Sequence, residues 1–185
     1  PPPPVTYADV FAKYADLESA QTKLIVRTTS SDLELTQPGL IVGAFQSTLR
    51  NVFVHPYFFG FTISDLALPI WHNKEVGKTA IKLGANPDDY TKMFDLLPED
   101  SGSVINTSEP VLIMIMLTLA NIKANSTVLE VGSGCGYLTA LASRIASKGM
   151  VYGLEKNPKL AKFSQEIFQG VENISIEHGD ALLGL

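Results

Sequence analysis

The sequence predicts an α/β fold centred on a doubly wound parallel sheet, preceded by a mainly helical N-terminal region. Three observations carry that expectation. From Asn106 onward, apolar runs of strand length alternate with segments of helical period, joined by short links. The first of these runs leads into "GSGCG", with glycines at 132, 134 and 136, and then into another helical pattern. Acids stand at strand ends: Glu130 just before the glycines, then Glu155 and Asp180. In open α/β sheets that edge is where ligands bind.

Composition narrows the class. The chain has 185 residues, 45 % of them hydrophobic and 18 % charged, enough for a packed core. Its net charge is -5, and the 14 Lys and Arg residues form no dense run, which argues against a nucleic-acid binder. The single cysteine, Cys135, can form no internal disulfide, so a reducing compartment, the cytoplasm, is expected. The longest apolar run, Val111 to Ala120, is about half of what a bilayer requires. The three Asn-x-Ser/Thr sequons, at Asn106, Asn125 and Asn173, read as chance matches. Because the chain opens on Pro-Pro-Pro-Pro rather than Met, it is expected to be processed or cut from something longer, with a removed targeting peptide left open.

The elements follow in order. Residues 1–4 read as a stiff polyproline lead-in. Val5–Ile25 has helical spacing, Thr28–Asp32 reads as a loop or cap, and Gly39–Phe53 as a further helix. Val54–Ile70 is aromatic and broken by Pro and Gly, which suggests extended structure and turns. Residues 71–103 are polar and read as a partly helical insertion, closing an N-terminal region over 1–104. The first half of the sheet domain, 105–185, then runs helix Glu109–Ile122, strand Thr127–Val131, helix Tyr137–Ala146, strand Met150–Leu154, helix Pro158–Phe168 and strand Ile174–Glu177. Apolar residues at Leu138, Leu141, Ala142 and Ile145 define one helix face, and "KG" at Lys148–Gly149 is a stop signal.

Glycines at a strand end let the backbone approach a ligand, and the helix that follows offers free N–H groups to an anion. A ligand-free tight turn is the alternative for the glycines alone. Glu155 stands where a carboxylate accepts from both ribose hydroxyls, or is an ordinary solvated strand-end acid. Asp180, in "HGDA", stands where an adenine edge would lie, or is a turn residue. Cys135 reads as a small turn residue rather than a nucleophile, having no His nearby in sequence. His55, His72 and His178 are dispersed, so no metal site is expected. Trp71 and the aromatic cluster Tyr57, Phe58, Phe59 and Phe61 read as packing residues.

The dinucleotide fingerprint G-x-G-x-x-G does not fit, because the third glycine comes one residue early and Tyr137 fills its place. The spacing E-x-G-x-G-x-G, from Glu130 through Gly132, Ser133 and Gly134 to Gly136, instead resembles the first motif of S-adenosylmethionine-dependent methyltransferases. With "LRNVFVHPYF", "LPI", "INTSEPVLIMIMLTL", "GLEKNPKLAKFSQEIF" and "VENISIEHGDALLG", the chain resembles the protein-L-isoaspartate O-methyltransferase family over residues 33–70 and 104–185.

That resemblance implies the S-adenosylmethionine methyltransferase fold, with S-adenosyl-L-methionine as cofactor and isoaspartyl residues of damaged proteins as substrate. It places Ser108 on the family's active-site serine, although Ser before Glu-Pro also makes a helix N-cap. It places Glu155 with Lys156 on the ribose-contacting pair and Asp180 with Ala181 on the adenine-contacting pair, Ala181 replacing a common glycine. Asn106 and Thr107, cofactor-binding candidates by the resemblance, stand where the family has Thr and Ile, and Ile105 replaces a usual polar residue. The 71–103 insertion lies beside the expected substrate mouth. The family continues with further strands past the point corresponding to Leu185, so either a longer polypeptide or a partner is expected to complete the sheet. Two alternatives stay open: the same fold acting on RNA or a small molecule, and a non-catalytic methyltransferase-like subunit.

Overall fold

A computed structural model of the chain describes residues 37–54, 68–69 and 106–184. The readings of residues 1–36, of the aromatic cluster, His55, Trp71 and His72, and of the 71–103 insertion lie outside these residues.

Helix α1, Pro38–Ser47, opens on a proline at its first turn and buries Ile41, Ala44 and Phe45 at i, i+3 and i+4. It is shorter than the single helix expected over Gly39–Phe53. The Ser47 hydroxyl donates back to the carbonyls of Gly43 (2.8 Å) and Ala44 (3.2 Å), and β-branched Thr48 turns extended at φ -125°. The chain resumes as a 3₁₀ turn, Arg50–Phe53. Two short strands follow, β1 at Leu68–Pro69 and β2 at Asn106–Thr107, antiparallel with Leu68 opposite Thr107.

Helix α2, Pro110–Ala120, ends at Asn121 in the left-handed conformation. Ser108 is not its N-cap: Glu109 takes that place, with no side-chain cap bond, because Pro110 occupies the first helical position and the boundary falls one residue later. The Gln37 amide donates to the carbonyl of Ile122 at 2.9 Å, tying α1 to the far end of α2.

The remaining elements are β3 (Thr127–Val131), α3 (Tyr137–Ile145), β4 (Met150–Glu155), α4 (Pro158–Ile167) and β5 (Ile174–His178), then a 3₁₀ turn at Ala181–Leu183. Each expected strand and helix of this half is present, with ends moved by one or two residues. The strands are parallel in the order β3-β4-β5, with Val131 opposite Leu154 and Glu155 opposite His178. Helix α4 is capped by Asn157, whose Oδ1 accepts from Lys159 N (3.0 Å) and Leu160 N (3.4 Å), with Pro158 at the first turn.

Side chains of α1, α2, α3 and α4 share one apolar core with Val128, Val151 and Ile176 of the sheet. Alternation along the strands sends Leu129, Val131 and Tyr152 to the other face, where they remain exposed among the described residues. The sequon residue Asn173 spends its amide on the carbonyls of Ser143 (3.0 Å) and Ala146 (3.4 Å), closing the C-terminal end of α3. Among the described residues, no helix is long and apolar enough to cross a membrane.

Candidate functional site

The turn between β3 and α3 is built by three left-handed glycines: φ is +76° at Gly132, +55° at Gly134 and +85° at Gly136. Gly136 is the N-cap of α3 and lies against α4, where an added Cβ would sit 2.5 Å from Phe168 Cε2. Gly132 differs, because an added Cβ there would meet nothing within 4 Å. It is the exposed end of the turn, open to an approaching ligand.

Both ends of Gly134 are clamped. Its N–H donates to Glu155 Oε2 at 2.8 Å, and its carbonyl accepts from the Ser164 hydroxyl at 2.8 Å. The Gly132 and Ser133 N–H groups both donate to Leu154 O, at 2.7 and 3.2 Å. Glu155 is buried, and its Oε1 accepts from Asn157 N at 2.7 Å. Each carboxylate oxygen thus holds one backbone N–H and keeps a further lone pair to offer. Ser133 packs over Gly153, whose missing Cβ makes room for it, and its buried hydroxyl has no hydrogen-bond partner among the described residues.

Glu130 shares the helix-facing side of β3 with Val128. Its Oε2 accepts from the Thr139 hydroxyl, and Thr139 is itself fully buried on α3. Burial pushes the Glu130 carboxyl up to about 8; the Thr139 bond opposes that rise and the nearby charge of Glu155 adds to it. Cys135, within the turn, is buried, and its thiol is pushed up to about 12 by loss of solvent.

A cavity of about 60 Å³ gathers these groups. Its walls include Thr107, Ser108, Glu130, Gly132, Ser133, Gly134 and Tyr137. Residues more than twenty positions apart in the chain therefore meet at the C-terminal end of β3. Asn106 lies beside Thr107 in β2. Glu155, Lys156, Asp180 and Ala181 lie outside this cavity, along the neighbouring strand ends. There Lys156 Nζ and Asp180 Oδ2 form an ion pair at 2.7 Å, which holds Asp180 below its usual range and Lys156 above its own. Asp180 lies two residues past the end of β5 and accepts from Leu182 N at 3.0 Å, opening the turn in which Ala181 is exposed.

A larger cavity, about 780 Å³, lies at the other end of the sheet between α1, the C-terminal half of α3 and the end of α4, walled by Leu49, Arg144, Phe168 and Ile174. It includes none of the candidate catalytic or cofactor-binding residues named from the sequence.

Sequence reasoning missed three members of the site. Thr139 orients Glu130, Ser164 holds the Gly134 carbonyl, and Arg50 is buried with its Nη2 donating to Ser108 O at 2.9 Å. A threonine and a serine on the otherwise apolar faces of α3 and α4 were the available signals for the first two. No local pattern announces Arg50.

The parallel strands, the left-handed glycine turn and the acids at the strand ends define an α/β chain of the S-adenosylmethionine methyltransferase fold. The particular family is equally plain: residues 22–185 match the family model "Protein-L-isoaspartate(D-aspartate) O-methyltransferase (PCMT)", and the chain belongs to that family. It is 40 % identical over 93 residues to the protein-L-isoaspartate O-methyltransferase of Petrotoga mobilis, covering 49 % of this chain and 43 % of the relative. Against the enzyme of the same name from Pyrococcus horikoshii it is 37 % identical over 97 residues, covering 51 % and 43 %. The chain thus spans less than half the length of these curated relatives. A solved protein-L-isoaspartate O-methyltransferase superposes with a TM-score of 0.65 at 20 % identity, covering 91 % of this chain and 44 % of that one. A putative Plasmodium falciparum enzyme of this kind, solved in complex with S-adenosyl-L-homocysteine, gives 0.57 at 19 % identity, covering 89 % and 63 %.

Proposed function

We propose that the chain carries the cofactor-binding half of an S-adenosylmethionine-dependent carboxyl methyltransferase acting on isoaspartyl residues of damaged proteins. The observation that carries this reading is the cavity at the end of β3, where Ser108 and Thr107 face Glu130 and the glycine turn. Family membership supports the substrate class.

The residues fit such a cofactor. Gly132 leaves open space above the strand end, and the buried Ser133 hydroxyl has no partner among the described residues. Glu155 has lone pairs left for ribose hydroxyls, and Asp180 with Ala181 rims the adjacent strand end. Lys156 holds Asp180 in place through their ion pair. Gly134 and Gly136 set the path of the turn, and Thr107, with Asn106 beside it in β2, would border the bound cofactor. When bound, S-adenosylmethionine supplies an electrophilic methyl on a sulfonium.

The chain's own task is then alignment. A carboxyl group titrates near pH 4, so the acceptor is ionised at neutral pH and no general base is needed. The Ser108 hydroxyl orients the acceptor carboxylate, and the cavity wall fixes the line of approach. Glu130, held by Thr139, borders the same cavity. Damaged proteins of the cytoplasm are the proposed partners. The net charge of -5 disfavours RNA as the acceptor.

The test is transfer of radiolabelled methyl by the intact polypeptide to matched isoaspartyl and aspartyl peptides. A base-labile methyl ester on the isoaspartyl peptide alone is expected, reduced at least about tenfold in Ser108→Ala, as for loss of one hydrogen bond to a charged group. Equal labelling of both peptides, or labelling of RNA only, contradicts the reading.

A further inference from the structure

We propose that Arg50 is a positioning residue of the acceptor site, holding Ser108 in place through its backbone carbonyl. The inference rests on the reading of Ser108 given above.

Among the described residues, Ser108 has little local support. It follows the two-residue strand β2 and precedes the N-cap of α2, so neither a strand of any length nor a helix fixes it. What reaches it is Arg50, 58 positions away, whose Nη2 donates to Ser108 O at 2.9 Å. Arg50 is 2 % exposed, and a buried guanidinium is costly unless its donors are used. Its Cζ stands 5.8 Å from the centroid of Tyr137. Tyr137 opens α3 directly after Gly136 and lines the same cavity as Ser108. One side chain therefore joins the serine wall of the cavity to the glycine-turn wall.

The anchor is firm at its own end. Phe53, in the same 3₁₀ turn as Arg50, packs on Tyr137 at 5.3 Å and on Phe168 at 6.0 Å between centroids. The arrangement also suits the charge change of the reaction. Methyl transfer from a sulfonium to a carboxylate leaves two neutral groups, so a cation bonded directly to the acceptor would stabilise the reactants more than the transition state. Arg50 is not part of the cavity wall, and its Nη2 donates to a main-chain carbonyl. It orders the site without quenching the nucleophile. Lysine cannot replace it, since a point charge lacks the planar fork and stacks poorly on a ring.

The experiment compares wild type, Arg50→Lys and Arg50→Ala in the intact polypeptide, with folding checked by circular dichroism. Isoaspartyl-peptide kcat/KM is expected to fall at least about tenfold in Arg50→Lys, the loss of one charge-assisted bond, while S-adenosylhomocysteine Kd changes less than about threefold. Hydrogen exchange at Thr107–Glu109 is expected to speed up in the same variant. Unchanged exchange there, or a loss of S-adenosylhomocysteine affinity matching the loss of activity, overturns the proposal; if Arg50→Ala unfolds, Arg50→Lys decides. A wild type that binds S-adenosylhomocysteine without methylating isoaspartyl peptide counts against the functional reading and the acceptor role together. The exchange measurement still decides, independently, whether Arg50 holds Ser108.

Discussion

The Gly134 N–H donates to Glu155 Oε2 at 2.8 Å, joining the turn after the first strand of the sheet to the end of the second. The same carboxylate takes the Asn157 N–H at 2.7 Å on its other oxygen. Glu155→Gln keeps one acceptor oxygen and turns an N–H₂ toward a backbone N–H. We expect a loss of about 1–3 kcal/mol in urea unfolding and at least a tenfold loss of S-adenosylhomocysteine affinity. A variant as stable and as tight-binding as wild type contradicts the clamp.

Gly132 and Gly136 have similar positive φ but different surroundings. Gly132→Ala bears the left-handed strain alone, about 1–2 kcal/mol, because nothing lies within 4 Å of the new Cβ. Gly136→Ala adds a collision with Phe168 at 2.5 Å and is expected to cost about 1–3 kcal/mol more. Chemical denaturation of the two variants side by side should show that order. S-adenosylhomocysteine affinity should show the reverse order, because Gly132 is the open end of the turn.

Glu130 makes stability pH-dependent. Its carboxyl titrates near 4.5 when unfolded and at about 8 when folded, so between these values the native state binds the extra proton. Its contribution is present below pH 4.5 and is lost as pH rises through 8, with a slope of at most about 1.4 kcal/mol per pH unit. Glu130→Gln mimics the protonated form and can still accept from Thr139. Its stability relative to wild type should therefore rise from pH 5 to about pH 8 and level off above that. A gap that stays constant across that range counts against a raised carboxyl.

The Cys135 thiol, buried and pushed up to about 12, should resist a chromogenic disulfide reagent at pH 8 and react fully only on unfolding. Native reactivity within minutes would show that the glycine turn opens.

The sheet half of this fold was legible because its signals are local. Alternating strand and helix periods, Pro158 behind Asn157 and the run of glycines all act within a few residues, and the structure moves those boundaries by one or two residues. The approach of Ser108 to the glycine turn was reached only through family likeness. The helix over Gly39–Phe53 failed at Ser47 and Thr48, where side-chain back-bonding and β-branching stop a pattern that hydrophobic spacing alone continues. The cap alternative for Ser108 fails because Pro110 shifts the helix start by one. Arg50 was invisible, since its partners lie 58 and 87 positions away and only tertiary packing brings them together.

The central claim is that the turn at Gly132–Gly136, held by Glu155, cradles S-adenosylmethionine or its product. Calorimetric titration of the intact polypeptide with S-adenosylhomocysteine tests it most directly. We expect one site with Kd of about 1–100 μM, weakened at least tenfold in Glu155→Gln. A folded protein that releases no heat of binding and shows no thermal shift with that nucleoside contradicts it.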